Sequence, residues 1–226
     1  MSLPPNVHVS SHPCLQAKLS LIRSSSTTPR ETRGLVHDIA NILGVEAFSG
    51  LKLVKTGTDT TPLGIEYETQ GIDPEDLALV PILRSGLGMV DVPVYHLGLF
   101  REKVSLQPVE YYNNLPFHRS ELSPASPASL NPTTNTAAAS LAVLLDPVIA
   151  TGATAEAAIQ LLRDWGVKKV IMLSLLASKE GVKRAAGTWG EVEIWVGAID
   201  KGVDEKGMIV PGIGDIGDRL FVAIGK

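Results

Sequence analysis

The apolar run Leu141–Leu145 ends in a carboxylate, and the segment from Asp146 to Thr154, DPVIATGAT, then gives way to AEAAIQLL. An acid at the end of a strand, with Thr151, Gly152, Ala153 and Thr154 just before a helix, is an arrangement that can hold an anion. Successive backbone N–H groups and the positive end of the helix dipole face outward there, and the threonine hydroxyls add donors. Gly152 would let the backbone approach a phosphate closely, and Asp146 could accept hydrogen bonds from sugar hydroxyls beside it. The GKS or GKT ending of a nucleoside triphosphate loop and the GxGxxG spacing are both missing, which disfavours those two classes. An ordinary strand-to-helix turn explains the same residues about as well.

Two other apolar runs end in polar residues. Leu77–Leu83 stops at Arg84, followed by Ser85 and Gly86, and Val192–Ile199 stops at Asp200. A guanidinium at a strand end offers phosphate oxygens a planar fork of donors, although a surface ion pair is an equal reading of Arg84. Near the C-terminus, glycines 207, 212, 214 and 217 imply a tight, irregular loop whose backbone groups could read the edge of a planar base. A plain terminal turn suits Gly212 and Gly217 better than it suits Asp215. The only cysteine, Cys14, excludes a disulfide framework and a Cys-rich zinc site, and is expected to be a buried, inert thiol.

The elements that must carry these residues read most clearly in the second half. Ala158, Leu161, Leu162 and Trp165 recur at helical spacing before Gly166. Val170–Ala177 is a nearly continuous apolar strand, Lys179–Ala186 is helical, and Val192–Asp200 is again a strand. This alternation gives an α/β fold with a parallel sheet, in which ligands bind beyond the carboxyl ends of the strands. The N-terminal third reads as two helices, one with Leu15, Leu19 and Ile22 on one face, the other starting after Thr28 and running from Pro29 to about Leu43. Residues 117–140, rich in Ser, Pro, Thr, Ala and Asn, read as a low-complexity, mobile surface loop inserted into a single domain spanning 1–226.

With 226 residues, 44% of them apolar and a net charge of −4, the chain can bury a sizeable core and has no uniformly basic surface, so no nucleic-acid partner is expected. No apolar run approaches the roughly 20 residues that span a bilayer, and the start MSLPPNVHVS lacks a signal pattern. No membrane partner and a cytoplasmic location are expected.

Asp146 is followed by Pro147, where type I phosphoribosyltransferases generally carry two adjacent acids; the Asp-Pro pair is the pattern of the uracil branch. HPCLQAKLSLIR (His12 to Arg23), VPILRSGLGMV (Val80 to Val90), HLGLFREK (His96 to Lys103), PVEYYNNLP (Pro108 to Pro116) and MIVPGIGDIGDRLF (Met208 to Phe221) follow in the family order. The chain resembles the uracil phosphoribosyltransferases over nearly its whole length. That resemblance implies a type I phosphoribosyltransferase-like parallel sheet flanked by helices, with an extended β-arm that includes Tyr111 and Tyr112. It implies transfer of the 5-phosphoribosyl group of phosphoribosyl pyrophosphate (PRPP) to uracil, giving UMP and pyrophosphate. Arg84 and Arg101 would meet the pyrophosphate; Asp146, Pro147, Val148, Ile149, Ala150, Thr151, Gly152, Ala153 and Thr154 would hold the ribose phosphate, with Asp215 facing the ribose. Ile209, Gly214, Asp215 and Ile216 would meet uracil, and Arg84, Asp146 and Asp215 are the candidate catalytic residues. Mg2+ would arrive with PRPP, with no protein ligand assigned, and a homodimer or larger homo-oligomer is implied.

The resemblance also implies an unusual peptide just before Ser85-Gly86. Two features depart from the family pattern. Met208 stands where many relatives have Tyr, and the stretch from Arg84 to Arg101 is short. From Leu83 to Val94 there are too few residues for a helix-bearing crossover, which needs about a dozen or more; either the arginine loop is remodelled or residues are missing there, and a break is expected near Asp91 and Val92. The phosphate loop alone would also serve a purine or orotate phosphoribosyltransferase, or a non-catalytic nucleotide-binding regulator of the same fold. The GIGDIGDR ending favours uracil.

Overall fold

A computed structural model describes residues 2–74, 77–90, 97–101, 108–113 and 139–221. The break expected near Asp91 and Val92, and all but the last two residues of the 117–140 loop, lie outside the described residues. In chain order the elements are β1 (Val7–Val9), α1 (Pro13–Ile22), α2 (Pro29–Phe48), β2 (Lys52–Thr60), β3 (Glu66–Asp73) and β4 (Leu77–Pro81). A 3-10 turn at Ser85–Met89 follows, then β5 (Leu97–Arg101), β6 (Pro108–Asn113), β7 (Leu141–Leu145), β8 (Val148–Ile149) and α3 (Ala153–Trp165). The chain continues through β9 (Lys169–Ser178), α4 (Lys179–Ala186), β10 (Val192–Asp200), β11 (Gly202–Val203), β12 (Ile209–Val210) and α5 (Ile216–Phe221).

The central sheet runs β1-β10-β9-β7-β4, with β8 also paired to β9, and all its pairings are parallel. Because side chains alternate along a strand, the apolar strands supply two cores at once. Val170 and Met172 of β9, with Ala142 and Leu144 of β7, pack beneath Ala158, Ile159 and Leu162 of α3 and Val182 of α4. Ile171 and Leu173 of β9, with Val143 and Leu145 of β7, face the other way, onto Leu15 and Leu19 of α1, Ile39 and Leu43 of α2 and Leu220 of α5. The fold is therefore a helix–sheet–helix sandwich, as the alternation of elements predicts.

Several boundaries differ from the sequence reading. α2 runs on to Phe48 because its buried stripe continues past Leu43 through Gly44 and Ala47, and a capping box of Thr28 and Glu31 fixes its start. β4 stops at Pro81 instead of Leu83, since the chain must turn there to bring Gly86 under the end of β7; a Cβ on Gly86 would lie 2.5 Å from the Leu145 carbonyl oxygen. Cys14 is exposed and not buried, one position before the buried stripe of α1 begins at Leu15.

Besides the short antiparallel pair of β11 with β12, two antiparallel hairpins stand apart from this sheet. β5 and β6 form one, which contains Tyr111 and Tyr112 in the strand expected for an extended arm. The other, β2 with β3, has no counterpart in the sequence reading and is solvent-exposed or nearly so along both strands. Its turn and flanks expose Leu63, Ile65 and Tyr67.

Candidate functional site

Asp146 ends β7 and is buried, only 7% exposed, while the loop after it is fastened to its surroundings at each step. The Pro147 carbonyl accepts the N–H groups of Leu175 and Leu176, both at 3.1 Å, and Val148 and Ile149 pair with β9. Ser178 then ties the loop to α4: its hydroxyl donates to the Ala150 carbonyl at 2.6 Å and accepts the Gly181 N–H at 2.9 Å. Gly152 is the N-cap of α3, at φ +79, a left-handed conformation that costs other residues roughly 1–2 kcal/mol. A Cβ there would lie 2.4 Å from the Gly181 carbonyl oxygen, and one on Gly181 would lie 2.2 Å from that of Ala150. Gly152 is thus demanded by the neighbouring helix start, whatever approaches from solvent. Sequence reasoning misses Ser178 and Gly181; the signal available is a serine at an N-cap position just before KEGV.

The turn bearing Arg84 is set against the same strand end. Ile82 N–H donates to the Leu145 carbonyl at 2.9 Å and Gly86 N–H to that of Ile82 at 2.8 Å. The Leu83–Arg84 peptide is cis, at the place where an unusual peptide is expected. The Arg84 side chain is half exposed, with Nη2 3.6 Å from Oδ1 of Asp218, an atom that is buried and makes no hydrogen bond among the described residues.

Against the Arg84 turn lies the glycine-rich segment, where a Cβ on Gly217 would sit 3.5 Å from Arg84 Nη2. Asp215 is exposed, and its Oδ1 accepts the Asp218 N–H at 3.0 Å, so the acid caps α5. The irregular loop therefore ends sooner than its glycines suggest: Gly217 lies within the helix. Together these parts enclose a cleft of about 660 Å³, within the range usual for small-molecule sites. Arg84, Asp146, Val148, Ala150, Thr154, Gly214, Asp215 and Ile216 all line it. Gly207, Met208 and Gly217 line it as well and are not among the sequence candidates. Pro147, Ile149, Gly152 and Ala153 are buried within the loop, and Thr151 is half-buried. The Ile209 side chain packs in the core on the α2 side. Arg101 ends β5 opposite Pro108 in register.

The third polar strand end does not belong to the cleft lining. Asp200, 9% exposed, lies beneath the glycine-rich loop, where Arg23 and the Gly212 N–H bind its carboxylate. Burial raises its pKa, but the Arg23 and Gly212 hydrogen bonds and the Arg23 charge outweigh this and hold the carboxyl below its ordinary value. Among the described residues no group of three or more His, Cys, Asp or Glu is placed to hold a metal ion.

A parallel sheet between helix layers, with the Asp146–Thr154 loop, the Arg84 turn and the glycine-rich segment lining one cleft, is the architecture of a type I phosphoribosyltransferase. The sequence profile of the uracil phosphoribosyltransferase family matches residues 9–223. The chain belongs to that family, whose members are pentosyl-transferring enzymes. It is 40% identical over 223 residues to a uracil phosphoribosyltransferase of Roseiflexus castenholzii, covering 95% of this chain and 97% of the relative. A uracil phosphoribosyltransferase of Thermoanaerobacter pseudethanolicus is 38% identical over 224 residues, with 96% and 97% covered. Among solved structures, the AQ2163 protein of Aquifex aeolicus superposes with a TM-score of 0.81 at 29% identity, covering 96% of this chain and 98% of that one.

Proposed function

We propose that the cleft transfers the 5-phosphoribosyl group of PRPP to uracil, giving UMP and pyrophosphate, in pyrimidine salvage. The observation that carries this reading is the facing of the Asp146–Thr154 loop and the Gly214–Ile216 wall across one cleft, with Arg84 at its edge. Backbone N–H groups from Ala150 to Thr154 and the start of α3 hold the 5′-phosphate, and Asp146 accepts from the ribose hydroxyls. Arg84 and Arg101 take the pyrophosphate, and the backbone of Gly214 to Ile216 reads the alternating carbonyl and N–H groups of uracil. Uracil N1 forms its bond to the anomeric carbon as the bond from that carbon to the pyrophosphate oxygen breaks, and the proton from N1 leaves with the pyrophosphate. The residues act by positioning and by stabilising the leaving group, and no side-chain nucleophile is required.

Mg2+ is usually held by one or two carboxylates plus substrate phosphates, and the cleft offers Asp146 and Asp215, so the donor set suits an ion carried in by PRPP. When bound, it neutralises charge on the pyrophosphate. A homo-oligomer is supported by the β2–β3 hairpin, since a two-stranded hairpin with both faces in water is marginal alone and this one exposes Leu63, Ile65 and Tyr67. No helix among the described residues is long and apolar enough to cross a membrane, and a cytoplasmic site of action fits a salvage enzyme.

The test is direct. Purified protein with uracil, PRPP and Mg2+ should yield UMP, whereas hypoxanthine or orotate should yield no nucleotide. Absence of UMP would overturn the reading.

A further inference from the structure

The base-side loop is held from behind by charged groups that do not line the cleft. Arg23, at the C-cap of α1, presents both Nη atoms to Asp200, with Nη2 to Oδ1 at 2.7 Å and Nη1 to Oδ2 at 2.8 Å. The same Nη1 donates to the Gly212 carbonyl at 2.9 Å, while the Gly212 N–H donates to Asp200 Oδ2 at 2.9 Å. Both backbone groups of the residue at the turn are therefore satisfied on the side away from the cleft. Gly212 has φ +66, and a Cβ there would lie 2.1 Å from the Ile209 carbonyl oxygen, so this conformation is reserved for glycine. A second arginine completes the attachment: Arg219 Nη1 donates to the carbonyls of Ile22 at 2.6 Å and Ile213 at 2.8 Å, and its Nη2 to that of Ser24 at 3.0 Å.

We infer that Arg23 and Asp200, with Arg219, form a clamp that fixes the register of the base-reading loop, making them positioning residues for uracil. A buried ion pair is seldom more stabilising than apolar packing of equal volume, so stability alone is a poor reason for this one. What it supplies is direction. With the Gly212 backbone committed to the clamp, the next residues, Gly214 to Ile216, turn towards the cleft they line. The phosphate loop is anchored separately, through Ser178 and Gly181. Loss of the clamp should therefore weaken uracil binding far more than PRPP binding, in which the loop takes part only through Asp215.

This inference rests on the proposed uracil chemistry, and two readouts keep their failures apart. Arg23→Gln leaves Asp200 buried without its counter-ion and lowers overall stability, so Arg23→Lys, which restores the charge without the fork, is the second variant. In steady-state assays the uracil KM should rise roughly tenfold or more in R23Q and less in R23K, with the PRPP KM within about twofold of the parent. Hydrogen exchange should accelerate in the peptide from Met208 to Asp215 in both variants, and not in β9. An unchanged uracil KM in an otherwise active enzyme, equal rises in both KM values, or unaltered exchange in the loop would each overturn the clamp. If the parent makes no UMP, the uracil reading fails, and the exchange experiment still decides whether Arg23 fixes the loop.

Discussion

Replacing Gly152 with alanine adds one methyl group where the structure has no room for it. At φ +79 the alanine backbone is itself disfavoured by roughly 1–2 kcal/mol, and its Cβ would lie 2.4 Å from the Gly181 carbonyl oxygen. Ordinary contact between such atoms needs about 3.4 Å, so the loop or α4 must give by close to 1 Å. Because α4 is capped by Ser178 and Gly181 is itself pressed on Ala150, the displacement passes back into the anion loop. A misplacement of about 1 Å can cost on the order of 100-fold in rate, and kcat/KM for PRPP in G152A should fall by about that factor. Gly181→Ala separates the two causes: its φ is ordinary, yet its Cβ would lie 2.2 Å from the Ala150 oxygen. It should reproduce most of the loss in kcat/KM. Initial rates of UMP formation at varied PRPP, together with thermal melts, measure both variants. Parent-like kcat/KM for PRPP in G152A would refute the argument that this contact sets the loop.

Arg84→Gln removes a cation at the edge of the cleft and should lower kcat/KM for PRPP by about 10- to 100-fold, corresponding to charge-assisted hydrogen bonds of roughly 1.5–3 kcal/mol. The melting temperature should barely move, since that side chain is half exposed. Asp200 has a folded-state pKa below its ordinary 3.8, so the stability from its pairing is complete above that value and is lost as pH falls below it through the folded-state pKa. Urea denaturation of the parent should therefore weaken more steeply with acid than that of Asp200→Asn; parallel curves below pH 3.8 would contradict the pairing. Sedimentation of the parent should give a dimer or larger species, and Leu63→Ser with Ile65→Ser should shift it towards monomer without changing the helix content seen by circular dichroism.

How much of this is legible in sequence depends on whether the signal is local. Lys179–Ala186 and Val192–Asp200 can be read to the residue, because apolar strands buried on both faces alternate there with an amphipathic helix, and both patterns survive in one dimension. The β2–β3 hairpin cannot be read because neither of its faces is buried in the core, so no apolar period marks it. Cys14 is misjudged from residue type alone, although it precedes the stripe of Leu15, Leu19 and Ile22 that sets the buried face of α1. Asp200 reads correctly as a strand end, but its role behind the glycine-rich loop does not show. Its partner, Arg23, lies 177 residues away, and a single sequence carries no sign of such a pair. The anion loop is legible as a loop; the glycine and serine of α4 that shape it belong to the next strand–helix junction.

The two walls of the cleft also differ in how much chain must be in place before each exists. The phosphate wall is closed by a hydrogen bond spanning 28 residues, from Ser178 to Ala150, within a single strand–helix–strand unit. The proposed base wall is closed by bonds spanning 177 to 197 residues, which join the end of α1 to the end of β10, to Gly212 and to α5. Longer closures cost more chain entropy. By that measure the cheaper partial opening is a state with an intact anion loop and a released base-reading wall. Such a state would retain phosphate affinity while losing discrimination between bases.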